Sequence, residues 1–345
     1  MKKERTIPIP KNKYDYESII PLVMPDDGVT PVLDFIRSAK DTLLVKQFSF
    51  TDPDILHEII EAHNRGVVIH VMLNERRPDR RQENLDFRKK LEDVGISVSW
   101  TNPHYRYSHE KTMVADGERA LISTFNLNPK HFVHTRDYGV IINSTPEVAD
   151  IIACFTADWM GTGFNPAPET NLFWSGHNSR LKTLEFLDSA TQTIDIQHPK
   201  LVDTTIIERL LEAYGRGVKI RFLCGGKKGL SDYTLRDTLA SFRLLKKFGI
   251  PVFRINNGLR LHTKFILVDG KLGLISSMNL CRNSFEHRRE IGMFFKKCHA
   301  LDRFRETFEK DWGTGIPWDI PDAITAIEIK REDEDRIDDP EYTDE

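Results

Sequence analysis

The chain of 345 residues is written twice, and this duplication constrains its fold more than any other feature. VLDFIRSAKDTLLVKQFSF (32–50) answers TLEFLDSATQTIDIQHPKL (183–201), with Phe35 opposite Phe186 and Ser38 opposite Ser189, 151 residues apart. IIEAHNRGVVIHVML (59–73) answers LLEAYGRGVKIRFLC (210–224), and FRKKLEDVGISVSW (87–100) answers FRLLKKFGIPVFRI (242–255). Each segment reads as a helix closed near a glycine and followed by a β-branched strand. Helices and strands alternating in this way predict an α/β unit, a sheet with helices on its faces. Two such units predict pseudo-two-fold packing, and a site on that axis would draw on both. The Gly- and Pro-rich stretch GTGFNPAPET (161–170) marks the boundary between them.

Each unit then ends in a phrase whose polar residues repeat at an offset of 153. His109, Lys111, Asp116, Gly117, Ser123 and Asn126 answer His262, Lys264, Asp269, Gly270, Ser276 and Asn279. Phe132, His134, Arg136 and Gly139 answer Phe285, His287, Arg289 and Gly292. Thr124 faces Ser277 and Asp137 faces Glu290, which keeps the chemistry, while the apolar neighbours drift from TMVA to FILV. On a strand, residues two apart share a face, so each His–Lys pair points one way. The Asp-Gly that follows signals a tight hairpin, whose return strand brings back Ser/Thr and Asn. One hairpin thereby collects an imidazole, an ammonium, a hydroxyl and a carboxamide. An imidazole attacks phosphorus or carries a proton near neutral pH, and the lysine and asparagine donate to phosphate oxygens. Two copies allow one histidine to act as nucleophile and the other as acid and base, with no metal or other cofactor required. The symmetric sequence does not say which histidine does which.

The pattern H-x-K-x4-D-x6-(G/S)-(S/T)-x-N at 109–126 and 262–279 resembles the signature of the phospholipase D superfamily. The continuation N-L-x4-F-x-H-x-R-(D/E)-x-G (126–139, 279–292) is similar to that of bacterial two-motif members, including cardiolipin synthases. Ser123 and Ser276 stand where the family often has Gly. The resemblance extends over most of residues 20–312. It implies two similar phospholipase D-like α/β sandwich domains, related by pseudo-two-fold symmetry, with mixed central sheets flanked by helices. The expected bounds are an N-terminal extension (1–20), a first domain (21–165), a second domain (166–328) and an acidic, disordered tail (329–345). The resemblance also implies catalytic roles for His109, Lys111, Asn126, His262, Lys264 and Asn279. His109 would be the nucleophile and His262 the acid and base. Asp116 and Asp269 would stabilise the motif. Thr124 and Ser277 would support the site, and Asp137 and Glu290 would either orient the imidazoles or stand as surface acids beside arginines.

Other stretches bear on substrate choice. Arg76, Arg77, Arg80 and Arg81 after one strand, with Lys227 and Lys228 after its counterpart, sit where open α/β sheets gather ligands. They either steer an anionic head group or nucleic-acid backbone, or form solvated loops. Trp100, Tyr105 and Tyr107 either line a pocket or pack. His134 and His287 read as residues that support the site or as structural ones, and His57, His63 and His104 as surface residues. The net charge of −3 hides a tail (331–345) of −7 and a body of +4, a weak basic excess for a nucleic-acid binder. The four cysteines are scattered without metal or disulfide spacing. No apolar h-region follows the N-terminal charges and no apolar run reaches membrane-span length. A cytoplasmic protein, soluble or peripheral on a membrane, is expected.

Three functions fit these features. The first is a phosphodiesterase or phosphatidyltransferase that works on phospholipid at a membrane surface, with water or an alcohol as acceptor, through a phosphohistidine. The second is a metal-independent nuclease using the same route. The third is a non-catalytic lipid-binding protein, from which the loss of a histidine or lysine would be expected. Two motifs in one chain remove any need for an oligomer to complete the site.

Overall fold

A computed structural model describes residues 15–75, 81–226 and 232–320. The first half runs β1 (Ile20–Met24), α1 (Thr30–Arg37), β2 (Thr42–Gln47), α2 (Pro53–Asn64), β3 (Val68–Leu73), α3 (Arg81–Asp93), β4 (Ser97–Trp100), β5 (Thr112–Ala115), β6 (Arg119–Ser123), α4 (Pro129–Val133), β7 (Thr135–Ile142) and α5 (Thr145–Met160). The second runs β8 (Leu172–Trp174), α6 (Ser179–Asp188), β9 (Thr193–Gln197), α7 (Thr204–Gly215), β10 (Lys219–Cys224), α8 (Asp232–Lys247), β11 (Val252–Arg254), β12 (Arg260–Leu261), β13 (Phe265–Val268), β14 (Leu272–Ser276), α9 (Arg282–Glu286), β15 (Ile291–Lys296), α10 (His299–Thr314) and β16 (Ile316–Pro317). The three helix–strand pairs expected in each half are present.

The two sheets are mixed and nearly alike. In the first the order is β1-β7-β6-β5-β2-β3-β4, and in the second β16-β11-β10-β9-β13-β14-β15-β8. Strands β2, β3 and β4 run parallel, as do β9, β10 and β11, because helices connect them. The motif hairpins β5–β6 and β13–β14 are antiparallel and join β2 and β9. Two strands, β1 and β8, carry no counterpart in the helix–strand repeat. They flank the sheets beside β7 and β15.

Alternation along single strands explains the layers. Met113 and Ala115 of β5 face the core beneath α1, α2 and α3, whereas Val114 faces a core shared between the halves. In β13, Ile266 and Val268 face the second half's own core, and Phe265 and Leu267 face the shared one. The shared core also holds Tyr138, Trp174, Phe295 and Phe304. The sheets therefore bury both faces, one against their own helices and one against the other half. Among the described residues no helix is long and apolar enough to cross a membrane.

The motif turns follow from their residues. Asp116 (φ 56°) and Gly117 (φ 67°) are both left-handed, as are Asp269 (52°) and Gly270 (63°), the central pair of tight turns closed by the Glu118 N–H on the Ala115 carbonyl and the Lys271 N–H on the Val268 carbonyl. The strained aspartates are held by what they bind. Asp116 accepts the backbone N–H groups of Lys40, Asp41 and Thr42, and Asp269 those of Thr191, Gln192 and Thr193. Burial works against both charges, but these N–H groups outweigh it and hold both carboxyls below their usual range. Each motif aspartate thus pins the entry of a central strand and lies at the end of the hairpin remote from the histidine.

Candidate active site

The His-x-Lys phrases lie just before β5 and β13 and not within them. The reason is a backbone exchange between the halves. Arg260 and Leu261 pair in parallel with Thr135 and Arg136 of β7, and Ser108 bridges Arg289 in the same sense. The N–H groups of His109 and Glu110 donate to the Arg289 carbonyl (2.9 and 3.1 Å), and those of His262 and Thr263 donate to the Arg136 carbonyl (3.1 and 2.9 Å). Each histidine is thereby set beside the acid that follows that arginine in the other half. His109 Nδ1 lies 3.0 Å from Glu290 Oε2 and 3.1 Å from the Ser277 carbonyl, and His262 Nδ1 lies 2.7 Å from Asp137 Oδ1. Asp137 and Glu290 are both 0% exposed, so neither is a surface acid. Each imidazole–carboxylate pair is built from both halves.

The hydrogen bonds fix the tautomer. A neutral imidazole that donates from Nδ1 to a carboxylate keeps its lone pair on Nε2. Burial holds His109 well below the usual imidazole range, helped by Lys111, Arg288 and Lys264. Burial and Lys264 push His262 down to about 3, against the pull of Asp137. Both shifts favour the neutral imidazole. Burial opposes the charge on Asp137, but His262 and His131 outweigh it and hold the carboxyl well below its usual range. Glu290 goes the other way: burial pushes it up to about 7, against Arg288 and Lys111.

The remaining motif residues close around the pairs. Lys111 Nζ donates to the His109 carbonyl at 2.7 Å, and Lys264 Nζ lies 2.5 Å from the His262 carbonyl and 3.0 Å from its Nε2. Both lysines are buried, so an anion arriving between them meets little competing solvent. Thr124 Oγ1 donates to Asp137 Oδ1 (2.7 Å), and the Tyr138 N–H donates back to Thr124. Ser277 supplies its carbonyl to His109 and its hydroxyl to the backbone of Ile291. Ser123 and Ser276, where glycine was the family expectation, turn their hydroxyls onto the carbonyls of Phe125 and Met278. Asn126 Nδ2 approaches His131 Nε2 (3.5 Å), and the Asn279 N–H donates to Ser284.

His131, Arg288, Lys46, Asp158 and Asp311 were not singled out from the sequence. His131 Nδ1 lies 3.0 Å from Asp137 Oδ2, and its ring meets that of His262 edge-on at 4.8 Å. Arg288 is buried 3.9 Å from Glu290. Arg289 binds Asp158 of α5 through Nε and Nη2, both at 3.0 Å, and Arg136 binds Asp311 of α10 at 2.8 and 3.2 Å. Lys46 Nζ completes the first cluster, 2.5 Å from Asp158 and 2.9 Å from Glu110. A signal existed for the aspartates: Asp158-Trp159 answers Asp311-Trp312 at the motif offset of 153.

Other expectations resolve individually. His134 and His287 are exposed helix caps, and their carbonyls accept from Arg260 and Arg106 in the backbone exchange. Trp100 packs under Arg88 and Tyr105 under Arg289. Tyr107 faces Phe48, whose ring meets His109 edge-on at 4.7 Å. Arg76, Arg77, Arg80, Lys227 and Lys228 lie outside the described residues, and Arg81 opens α3.

Residues 32–159 and 183–312 each match the family described as "Cardiolipin synthase, PLD-like domain". A cardiolipin synthase A of Pseudomonas fluorescens is 24% identical over 308 residues, covering 78% of this chain and 63% of the relative. A polyphosphate kinase of Staphylococcus epidermidis is 26% identical over 261 residues, covering 68% of this chain but 35% of the kinase. The chain thus spans about a third of one relative and just under two thirds of the other. Among solved structures, phosphatidylserine synthase of Haemophilus influenzae superposes with a TM-score of 0.73 at 13% identity, over 95% of both chains. A likeness at that identity concerns the fold. The paired motifs, the duplicated mixed sheets and the family match over both halves place the chain in the phospholipase D superfamily, among the cardiolipin synthase-like proteins.

Proposed function

We propose that the protein is a phosphatidyltransferase or phospholipase of this superfamily, acting on a phospholipid phosphodiester at a membrane surface. One observation carries the reading: two buried imidazoles, each oriented by a carboxylate from the other half, with a buried lysine beside each. The cardiolipin synthase family match supports phospholipid as the substrate class.

In this mechanism the phosphate oxygens accept from Lys111 and Lys264 as negative charge builds on them. Nε2 of His109 attacks phosphorus, the bond from phosphorus to the leaving alcohol breaks, and His262 Nε2–H passes its proton to that oxygen. Burial and Lys264 lower His262, and the arriving anionic diester offsets the ammonium charge of Lys264. Asp137 then favours the imidazolium, and Lys264 is the adjacent proton donor. In the second step His262 takes a proton from water or an acceptor alcohol. That oxygen attacks phosphorus, the phosphorus–nitrogen bond breaks, and His109 leaves neutral. Hydrolysis and transfer differ only in the acceptor.

The test is turnover by EDTA-treated wild type, His109→Ala and His262→Ala. Each is offered phosphatidylglycerol vesicles, phosphatidylcholine vesicles, polyphosphate and single-stranded DNA, with products resolved by mass. The expected result is lipid turnover lost in both variants, with cardiolipin marking transfer and phosphatidic acid hydrolysis. Cleavage of DNA or polyphosphate without lipid turnover would assign the same chemistry to the other substrate. Activity surviving both substitutions would remove the paired-histidine reading.

A further inference from the structure

The pseudo-two-fold axis makes every departure from symmetry near the site informative. At the motif offset, His131 stands opposite Ser284 and Thr135 opposite Arg288. These four residues surround the two orienting carboxylates, so Asp137 and Glu290 sit in different shells.

Asp137 is saturated by donors that carry no fixed charge. Its Oδ1 accepts from His262 Nδ1 (2.7 Å) and Thr124 Oγ1 (2.7 Å), and its Oδ2 from His131 Nδ1 (3.0 Å) and Thr135 Oγ1 (2.6 Å). His131 is fully buried, with Asn126 Nδ2 within 3.5 Å of its Nε2, which favours the proton on Nδ1. Asp137 is thus clamped between two imidazoles whose rings touch edge-on. Glu290 has one imidazole, His109, and the buried guanidinium of Arg288 where Asp137 has Thr135.

We infer that His131 is a positioning residue for proton transfer: it fixes Oδ2 of Asp137 so that Oδ1 keeps His262, and not His109, competent as acid and base. The physical reason is geometric. A carboxylate held through one oxygen rotates about its terminal bond, and its partner imidazole swings with it. Held through both oxygens by His131, Thr135 and Thr124, Asp137 keeps the His262 ring in one orientation through both steps. Serine at the equivalent position is shorter and gives no second imidazole. The inference rests on the reading above that His262 transfers the proton.

The two steps make different demands on that proton, which supplies the test. A p-nitrophenolate leaving group departs without protonation, whereas opening the phosphohistidine with water needs a base. With phosphatidyl-p-nitrophenol in mixed micelles, the nitrophenolate burst reports the first step and the steady state the second. For His131→Ala the expected burst rate stays within about twofold of wild type while the steady-state rate falls roughly tenfold or more. His131→Asn, whose amide can donate from near the position of Nδ1, is expected to recover most of that loss. His262→Ala should show the same split more strongly, and His109→Ala should have no burst.

A burst and steady state falling together in His131→Ala would mark a structural residue and overturn the inference, as would no change in either or no recovery by asparagine. If His262→Ala itself shows no split, or wild type releases no nitrophenolate, the underlying mechanism fails and the inference falls with it. A split in His262→Ala but none in His131→Ala leaves the mechanism standing and removes only the role of His131.

Discussion

Asp158→Asn and Asp311→Asn replace pseudo-equivalent residues, yet their costs should differ. Asp158 accepts two bonds from Arg289 at 3.0 Å and one from Lys46 at 2.5 Å, all buried. Burial works to raise its pKa, but Lys46 and Arg289 outweigh it and bring it down from 3.8 to about 2. A depression of that size corresponds to roughly 2–3 kcal/mol, present above pH 3.8 and lost as pH falls through about 2. Substitution also leaves two buried cations, of which Lys46 keeps Glu110 and Arg289 loses its carboxylate, and breaking a buried pair in this way costs about 3–5 kcal/mol. At the other site Gln197 replaces Lys46, and Arg136 keeps the Met24 carbonyl (2.9 Å) and the half-exposed Asp26 (3.0 Å) after Asp311 is neutralised. There the expected cost is about 1.5–3 kcal/mol. Urea unfolding followed by tryptophan fluorescence should place the Asp158→Asn midpoint about 1 M below wild type, taking ~3 kcal/mol per M, with Asp311→Asn between. Adding Lys46→Gln to Asp158→Asn leaves one buried cation, Arg289, and one buried anion, Glu110, in the cluster, and should recover about 1 kcal/mol or more. Equal losses at the two sites, or no recovery in the double variant, would refute the charge accounting.

Glu290→Gln should flatten the pH profile. Burial raises Glu290 to about 7, so kcat/KM of wild type should climb between pH 6 and 8 as the carboxylate forms, and the variant should lie lower without that limb. Gly292→Ala should destabilise by about 2–3 kcal/mol or more, because an added Cβ meets Phe173 Cζ at 1.9 Å in a closed core. At its counterpart Gly139 the same atom meets Phe125 Cε1 at 3.0 Å, so Gly139→Ala should cost less than Gly292→Ala in the same unfolding assay. Asp269→Ala frees the N–H groups of Thr191, Gln192 and Thr193 and should cost about 1–2 kcal/mol by urea unfolding. Its effect on turnover should be smaller than that of Lys264→Ala.

The helix–strand pairs were legible because each carries its own period and its own glycine stop, and periodicity is a local property. The polar phrase was legible because it occurs twice. What repetition does not say is which copy meets which. His109 and Glu290 are 181 residues apart in the chain and touch, whereas the sequence equally allows each histidine its own acid. The crossing is decided by backbone pairing of Ser108 with Arg289 and of Arg260–Leu261 with β7, short segments with no strand signature. Asp158 and Asp311 carried a repeat signal that their place on helices obscured. His131 and Arg288 lay beyond a search for sameness, since each is informative by having no match across the repeat.

The crossing has a consequence for how such a site works. Each half supplies an imidazole but borrows the carboxylate that orients it, and each half's arginine docks on the other's last helix through Asp158 or Asp311. The bonds that join the halves are therefore the bonds that aim the histidines, and a shift of one half would disturb both imidazoles together. Symmetric assembly alone would give two equivalent histidines, whereas the mechanism proposed above needs one with a lone pair and one with a proton. The asymmetry has to come from positions that the two copies of the phrase do not share. It is present where the carboxylates turn their second oxygens: toward His131 and Thr135 on one side and toward Arg288 on the other.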